Sequence, residues 1–127
     1  MIMQMRKRTV LGIVWVLVAV AAGVCQDGTR PIVWAQPVAS DAVKNWFKVD
    51  NGVFRSSQPD RKGFEEARRR GVRSILNLRG EHYDASLAGG LGLMIVDVPM
   101  SAGSFSESDI VKALRAIRSA PKPVLIH

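Results

Sequence analysis

Cysteine is almost absent from this chain of 127 residues, which contains Cys25 alone. A single cysteine cannot form an intrachain disulfide, a redox pair or a zinc site built on thiolates. The two histidines, His82 and His127, have no acidic or thiol cluster at ligand spacing, so we expect neither a metal nor a cofactor. Walker, G-x-G-x-x-G and G-x-S-x-G motifs are also absent, which argues against the nucleotide-binding and hydrolase classes that depend on those loops.

The positive charge of the chain is modest once its N-terminus is set aside. The formal net charge is +7, from 18 basic and 11 acidic residues. Three of the basic residues are Arg6, Lys7 and Arg8, which leaves 15 basic against 11 acidic residues from Gln26 onward. This excess suits an anionic ligand or membrane surface, and it is not the dense basic stripe of a nucleic-acid-binding protein. We expect no nucleic-acid partner.

The N-terminal residues have the pattern of a targeting segment. The basic cluster Arg6-Lys7-Arg8 precedes an apolar, uncharged stretch from Val10 to Val24. This stretch is shorter than the ~20 residues that a membrane-spanning helix usually needs. We therefore predict a signal peptide over residues 1–25, with an uncleaved membrane anchor as the alternative. Either way the protein is expected to be exported, to the periplasm or the extracellular space, or to be attached to a membrane.

The remaining residues divide into a predicted linker and a predicted domain. Residues 26–44 contain glycine and prolines without clear periodicity, and we assign them to a linker. The folded domain is expected to cover residues 45–127. It opens with a hairpin, because Asn51-Gly52 separates two short apolar segments and is a typical turn sequence.

The rest of the predicted domain alternates helices with apolar strands. Asp60 and Ser106 are predicted to cap two helices, of which the first ends at Gly71 and the second buries Ile110, Leu114 and Ile117. Strands are predicted over residues 72–78, 93–98 and 124–126. This alternation indicates an α/β fold, with a mainly parallel sheet flanked by helices and buried on both faces. In such sheets ligands bind beyond the carboxyl ends of the strands, so the loops after Leu78, Val98 and Ile126 should form the site.

Four segments in order resemble a known enzyme family. Val53-Phe54-Arg55-Ser56-Ser57-Gln58-Pro59, followed by a helix and Ile75-Leu76-Asn77-Leu78-Arg79, resembles the opening of atypical bacterial and plant dual-specificity phosphatases, which begin with a "YRSxQP"-like segment. Val98-Pro99-Met100-Ser101 resembles the strand end that leads to the acid-bearing region. Pro123-Val124-Leu125-Ile126-His127 resembles the strand that leads into the signature loop. The resemblance covers about Asn45 to His127 and implies a phosphatase-like fold of the cysteine-dependent protein tyrosine phosphatase superfamily.

The resemblance also implies a chemistry, phosphomonoester hydrolysis through a cysteine thiolate. In that family the residue after the histidine is the nucleophilic Cys, which is followed by five residues and an Arg. Backbone N–H groups and a helix N-terminus lower the pKa of that thiol, the Arg binds two phosphate oxygens, and an Asp protonates the leaving oxygen. The chain ends at His127. We therefore expect a fragment that is incomplete at its C-terminus and inactive as written.

His127 and Asp97 are the candidate catalytic residues that the resemblance implies. His127 would orient the signature loop; the alternative, which we expect in the chain of 127 residues, is a frayed terminal histidine. Alignment on Pro99 puts Ser101 and Ala102 where an acid is expected. Asp97, two residues before Pro99, is the candidate general acid. Asp109 fits the negative charge of a helix N-terminus better.

Arg55 and Arg79 are the candidate substrate-binding residues. Both follow strands on the expected binding side and could attract a phosphorylated protein or a small phosphomonoester. The alternative is ordinary ion pairing with Glu65, Glu81 or Asp84. The resemblance leaves the substrate open.

Two other functions are compatible with the sequence. One is a non-catalytic, membrane-attached module that binds phosphorylated ligands on a phosphatase-like scaffold. Against it, the apolar strand Val124 to Ile126 would be left exposed without the elements that normally follow. The other is a rhodanese-like sulfurtransferase, which also carries a cysteine loop after an apolar strand; the segments Arg55 to Pro59 and Leu78-Arg79 argue against it.

Overall fold

The computed structural model describes residues 30–127, so the predicted signal peptide or anchor over residues 1–25 lies outside the described residues. Within the described part there are six strands and three helices. In chain order they are β1 (Gln36–Pro37), β2 (Phe47–Lys48), β3 (Val53–Arg55), α1 (Arg61–Arg69), β4 (Ser74–Asn77), α2 (Asp84–Leu87), β5 (Met94–Asp97), α3 (Glu107–Ser119) and β6 (Val124–Ile126).

The strands form one mixed sheet in the order β1-β2-β3-β6-β4-β5. The first three strands pair antiparallel, and β3, β6, β4 and β5 run parallel to one another. In the centre of the sheet, Leu125 of β6 is in register with Phe54 of β3 on one side and with Ile75 of β4 on the other. The predicted mainly parallel α/β sheet flanked by helices is confirmed. Because four parallel strands end at one edge, the loops that follow them lie together there.

Strand β6 lies in the middle of the sheet and is buried on both faces. Leu125 packs with Phe64 and Ala67 of α1, while Val124 points to the opposite face and packs with Ala120. Val124 and Leu125 are both 0% exposed. The expectation that β6 would be exposed in this chain was therefore wrong. The reason is topological, since strands on both sides and helices on both faces cover β6 without any further element.

Local signals fixed the boundaries of α1 as predicted. The Asp60 side chain accepts a hydrogen bond from the Gly63 backbone N–H at 2.8 Å, so the predicted cap is confirmed. Gly71 adopts a φ of 92°, a left-handed conformation that glycine reaches without a steric penalty, and it ends the helix. The predicted hairpin is also confirmed, because β2 and β3 pair antiparallel across Asp50 to Gly52.

The predicted linker over residues 26–44 is wrong for its C-terminal part. Gln36–Pro37 forms β1 and pairs with β2. Val43 is 2% exposed and belongs to the core on the α1 face. The Ser40 hydroxyl accepts from the Val43 backbone N–H at 2.9 Å and donates to Glu66 at 3.0 Å, which fixes this segment on α1. The backbone of this segment is irregular, and its apolar residues show neither helical nor strand periodicity. The sequence pattern therefore did not predict that the segment belongs to the domain.

Helix α3 packs through a stripe that shares Ile117, but not Ile110 or Leu114, with the one predicted. The predicted cap is present, because the Ser106 hydroxyl accepts from the Asp109 backbone N–H. However, Leu114 is 59% exposed and Ile110 is 42% exposed, whereas Ala113 is buried. The stripe that faces the core consists of the buried Ala113, the half-buried Ala116 and Ile117, and Ala120 directly after the helix. Both stripes have helical spacing, and the alanines let the helix approach the sheet more closely.

Candidate functional site

The carboxyl ends of the four parallel strands form the edge where a site is expected. Strands β3, β4, β5 and β6 end there at Arg55, Asn77, Asp97 and Ile126. In a parallel α/β sheet this edge is the usual place for ligands. His127 follows β6 directly and therefore lies at the middle of the edge.

The His127 main chain is held on the β4 side of this edge by two backbone hydrogen bonds. Its N–H donates to the Leu76 carbonyl at 3.1 Å, and its carbonyl accepts from the Leu78 N–H at 2.9 Å. The imidazole is 0% exposed and packs against Phe64 of α1, with ring centroids 6.3 Å apart. The expectation of a frayed terminal histidine was wrong, because β-ladder bonding and ring burial hold His127 in place.

Asp84 is the polar partner of the buried imidazole. Its Oδ2 lies 2.6 Å from His127 Nε2, and the Asp84 side chain is also 0% exposed. The other oxygen, Oδ1, accepts from the Gln58 side-chain amide at 3.1 Å. A buried carboxylate is costly without such partners. Gln58, Asp84 and His127 therefore form a hydrogen-bonded group, which we call the buried trio after its two buried members, Asp84 and His127; Gln58 is half-buried.

Three backbone segments bring the buried trio together. Gln58 comes from the loop after β3, Asp84 is the first residue of α2, and His127 follows β6. Arg61 of α1 donates to the carbonyls of Leu87 and Gly89 at 3.2 and 2.8 Å, which attaches α2 to the neighbouring helix. Within residues 30–127, the buried His127 Nδ1 has no hydrogen-bond partner.

Asp97 lies at the end of β5 and bridges two loops. Its Oδ1 accepts from the Asn77 side-chain amide at 2.9 Å and lies 3.4 Å from His82 Nδ1. Asn77 also donates to the Glu81 carbonyl and accepts from the Arg79 N–H. Asn77 thus organises the loop after β4 by side-chain-to-backbone bonds. Asp97 belongs to this loop network and does not line the surface depression beside His127.

That depression is shallow and adjoins His127 at the edge of the sheet. Its volume is about 290 Å³. It is lined by Leu78, Arg79, Met100, Ser101, Ala102, Phe105 and His127. A second, larger depression of about 580 Å³ shares Arg79, Met100 and Ser101 and is further bordered by Gly80, Glu81 and Pro99. Arg79 and Ser101 supply the side-chain donors common to both depressions.

The two candidate substrate-binding arginines lie in different surroundings. Arg79 lines both depressions and its guanidinium is 3.9 Å from Glu81, an exposed ion pair of the kind predicted as the alternative. Arg55 makes none of the three predicted ion pairs. Its guanidinium lies over the Phe47 ring, 4.2 Å from the centroid. The structure therefore brings Arg79, and not Arg55, to the depression beside His127.

Asp109 acts as a helix cap. Its Oδ2 accepts from the Ser106 backbone N–H at 3.0 Å, and Lys112 lies 3.6 Å from its other oxygen. The Ser106 backbone N–H, followed by the Ser106 hydroxyl, holds the pKa of Asp109 below its ordinary value. A lowered pKa disfavours the protonated form that a general acid needs. Asp109 is thus a poor candidate for that role.

The described part of the chain offers neither a metal centre nor a membrane span. Residues 30–127 contain no group of three His, Cys, Asp or Glu side chains arranged to hold a metal ion. None of the helices in this part is both long and apolar enough to cross a bilayer.

Comparison with known proteins gives matches among solved structures only. No family model matches the chain, and no curated protein matches it. A cysteine-to-serine variant of TpbA from P. aeruginosa, in complex with pTyr, superposes with a TM-score of 0.68 at 23% identity, over 78% of this chain and 60% of TpbA. The sheet and its helices therefore have a phosphatase-like arrangement. This is a phosphatase-like α/β fold.

Two further structures agree. The core catalytic domain of the PP-IP phosphatase SIW14 from S. cerevisiae, in complex with citrate, matches with a TM-score of 0.61 at 26% identity, over 70% of this chain and 58% of that domain. A DUF442 protein from Shewanella putrefaciens matches with a TM-score of 0.60 at 19% identity, over 72% of this chain and 65% of its own. The chain is thus structurally similar to cysteine-based phosphatases, and it spans about 60% of the length of TpbA.

Two members of the buried trio were not predicted from the sequence. From the sequence, Gln58 was named only within the segment that carries the family resemblance, and Asp84 only as an ion-pair partner for an arginine. One signal could have pointed to Gln58, since it belongs to the segment that carries the family resemblance. No local signal pointed to Asp84, because its partner lies 43 residues away in the sequence.

Proposed function

We propose that this chain is the N-terminal part of a cysteine-dependent phosphomonoesterase domain, in which His127 immediately precedes the nucleophilic cysteine. The observation that carries the proposal is the position of His127: it follows the central strand at the ligand-binding edge, beside a depression of about 290 Å³. The next residue of a longer chain would start from that depression. The phosphatase-like fold and the family resemblance support the same assignment.

The proposed reaction follows the chemistry that the resemblance implies. The thiolate attacks phosphorus, an S–P bond forms, and the bond from phosphorus to the leaving oxygen breaks. The leaving oxygen takes a proton from an acid. Asp97 is the candidate from the sequence, although its carboxylate accepts from the Asn77 amide at 2.9 Å and does not line the depression beside His127. Water then hydrolyses the phosphocysteine. Arg79, at the rim of both depressions, would attract the phosphate.

The proposed substrate is a phosphorylated protein or a small phosphomonoester. TpbA was crystallised with pTyr, and SIW14 is a PP-IP phosphatase. Both ligand classes carry the dianionic phosphate that Arg79 and backbone N–H groups can bind. We propose the shared phosphate chemistry, without assigning the group from which the phosphate is released.

Export is a separate proposal that rests on the N-terminal sequence. The basic residues Arg6, Lys7 and Arg8 followed by apolar Val10–Val24 support a signal peptide, with an uncleaved anchor as the alternative. Fusion of residues 1–44 to a reporter that is active only outside the cytoplasm tests it. Reporter activity supports export, and an inactive reporter contradicts it. Release of the reporter from the membrane fraction distinguishes cleavage from anchoring.

A non-catalytic module that binds phosphorylated ligands is the second candidate. The argument against it was that β6 would be exposed, and that argument no longer applies because Val124 and Leu125 are fully buried. Such a module would use the same edge of the sheet, with Arg79 as the phosphate-attracting group.

The deciding experiment begins with the codons that follow His127 in the gene. In-frame Cys, five residues and Arg support the phosphatase, and an authentic stop codon supports the binding module. The longer protein is then assayed with p-nitrophenyl phosphate beside its Cys→Ser variant. We expect turnover by the longer protein only, and none above background by the variant or by residues 1–127. Equal rates for the longer protein and its Cys→Ser variant contradict the proposal.

A further inference from the structure

The buried trio is unusual because it fixes a histidine from a distant part of the chain. The Asp84 and His127 side chains are both 0% exposed, and their closest atoms are 2.6 Å apart. Burial of two ionisable groups is costly unless they are paired and hydrogen-bonded, and a pair that serves only to fill the core is readily replaced by apolar side chains. The contact therefore suggests a role that apolar packing could not perform.

The chemistry of the pair determines which imidazole nitrogen carries the proton. A carboxylate only accepts hydrogen bonds, so Nε2 of His127 must donate to Asp84. In a neutral imidazole the other nitrogen, Nδ1, is then an acceptor. Nδ1 is bonded to Cγ, on the side of the ring nearest the main chain of His127. It is buried and has no hydrogen-bond partner in the described chain.

We propose that Asp84 is a positioning residue of the phosphatase site: it holds His127 in the Nε2–H tautomer and so presents Nδ1 as an acceptor for the main chain of the phosphate-binding loop. This inference rests on the proposed function and adds the residue that controls the histidine. Asp84 is itself oriented, because Gln58 occupies Oδ1 and leaves Oδ2 for the imidazole. The Phe64 ring, tilted by 59° to the imidazole, packs against it and restricts rotation of the ring.

The trio is rigid enough to serve this purpose. Asp84 begins α2, which Arg61 attaches to α1 through two backbone carbonyls. The His127 N–H and C=O are both bonded to β4. The imidazole is thus fixed by its main chain at one end and by Asp84 at the other, which is the requirement for a group that orients another.

The test is the protonation pattern of the His127 ring in the 127-residue chain. Uniform ¹⁵N labelling and long-range ¹H–¹⁵N correlation at pH 8 distinguish a protonated from an unprotonated ring nitrogen. A His82→Gln variant identifies which signals belong to His127. We expect a single pattern, with Nε2 protonated and Nδ1 unprotonated. If Nδ1 is protonated in the unaltered protein, whether or not Nε2 is also protonated, the proposal is overturned.

Asp84→Asn and Asp97→Asn form a matched pair of variants. With an amide at position 84, the Gln58 side chain can keep donating to the oxygen and so turns the NH₂ group toward the imidazole. Nε2 must then accept, and we expect the Nε2–H pattern of His127 to be replaced by an Nδ1–H pattern. Asp97 contacts His82 instead, at 3.4 Å, so its variant should change the His82 signals and leave those of His127 unchanged. An unchanged His127 pattern in folded Asp84→Asn contradicts the proposal. If that variant does not fold, the pattern of the unaltered protein decides.

This test is independent of phosphatase activity. The tautomer is measured in a chain without a nucleophile, so an inactive longer protein would refute the proposed function while leaving the Asp84–His127 assignment measurable. Conversely, an active longer protein in which His127 carries its proton on Nδ1 would keep the function and show that Asp84 is not a positioning residue.

Discussion

Replacement of Leu125 by alanine tests the central position of β6. Leu125 is 0% exposed and packs in the cluster that contains Phe64, Ala67 and Ile75. A buried Leu→Ala change loses transfer free energy and leaves a cavity, for a cost of about 3–5 kcal/mol. That is a large share of the ~5–15 kcal/mol by which small domains are stable.

The matched control is Leu114→Ala on α3. Leu114 is 59% exposed, so the same chemical change should cost less than ~0.5 kcal/mol. Urea unfolding followed by far-UV circular dichroism measures both. With a slope of about 1–3 kcal/mol per molar urea, the unfolding midpoint of the Leu125 variant should fall by roughly 1–5 M and that of the control by almost nothing. If Leu114→Ala lost as much unfolding free energy as Leu125→Ala, the assignment of Ala113, Ala116 and Ile117 as the core-facing stripe of α3 would be refuted. A loss of unfolding free energy below ~1 kcal/mol for Leu125→Ala would refute the burial of β6.

Three further outcomes are expected from the same structure. Asp84→Ala removes one partner of a buried pair and should destabilise the fold by about 3–5 kcal/mol in urea unfolding, whereas a cost below ~1 kcal/mol would contradict the pairing. Ser106→Ala removes the hydroxyl and keeps the backbone N–H that is the larger cause, so it should raise the pKa of Asp109 only part of the way toward its ordinary value in a carboxyl ¹³C titration. Because the folded-state pKa is lowered, the Asp109 contribution to stability is present above the unfolded pKa and is lost as pH falls through the folded value. An unchanged pKa after substitution would remove the Ser106 hydroxyl as a cause. Gly63→Ala should lower the unfolding midpoint despite the higher helix propensity of alanine, since its Cβ would lie 2.8 Å from Pro59 Cβ, and a raised midpoint would show that the contact relaxes.

The alternation of elements was predictable because its signals are local. Asp60 and Ser106 at helix starts, Gly71 at a helix end and the Asn51-Gly52 turn each act through neighbouring backbone groups, within a few residues of themselves. The apolar segments around Ile75 and Leu125 have the composition of strands buried on both faces. From these signals the mainly parallel sheet and the edge that holds the candidate site follow without coordinates.

The errors lie where two local patterns compete or where no pattern exists. Helix α3 has two overlapping apolar stripes that share Ile117, and packing against the sheet selects the one with alanines over the one with Ile110 and Leu114. The segment from Gln36 to Val43 has no periodicity, yet pairing with β2 and burial of Val43 include it in the fold.

By itself, the sequence determined the class of fold, the edge of the sheet where ligands would bind, and the position of His127 after the last strand, since these depend on periodicity, caps and chain order. The tertiary structure alone decided that His127 is buried, that Asp84 and Gln58 are its partners, and that Arg79 rather than Arg55 lies at the depression beside it. The physical reason is distance along the chain: Asp84 and His127 are 43 residues apart, and only the pairing of β4 with β6 and the packing of α2 bring their side chains to 2.6 Å.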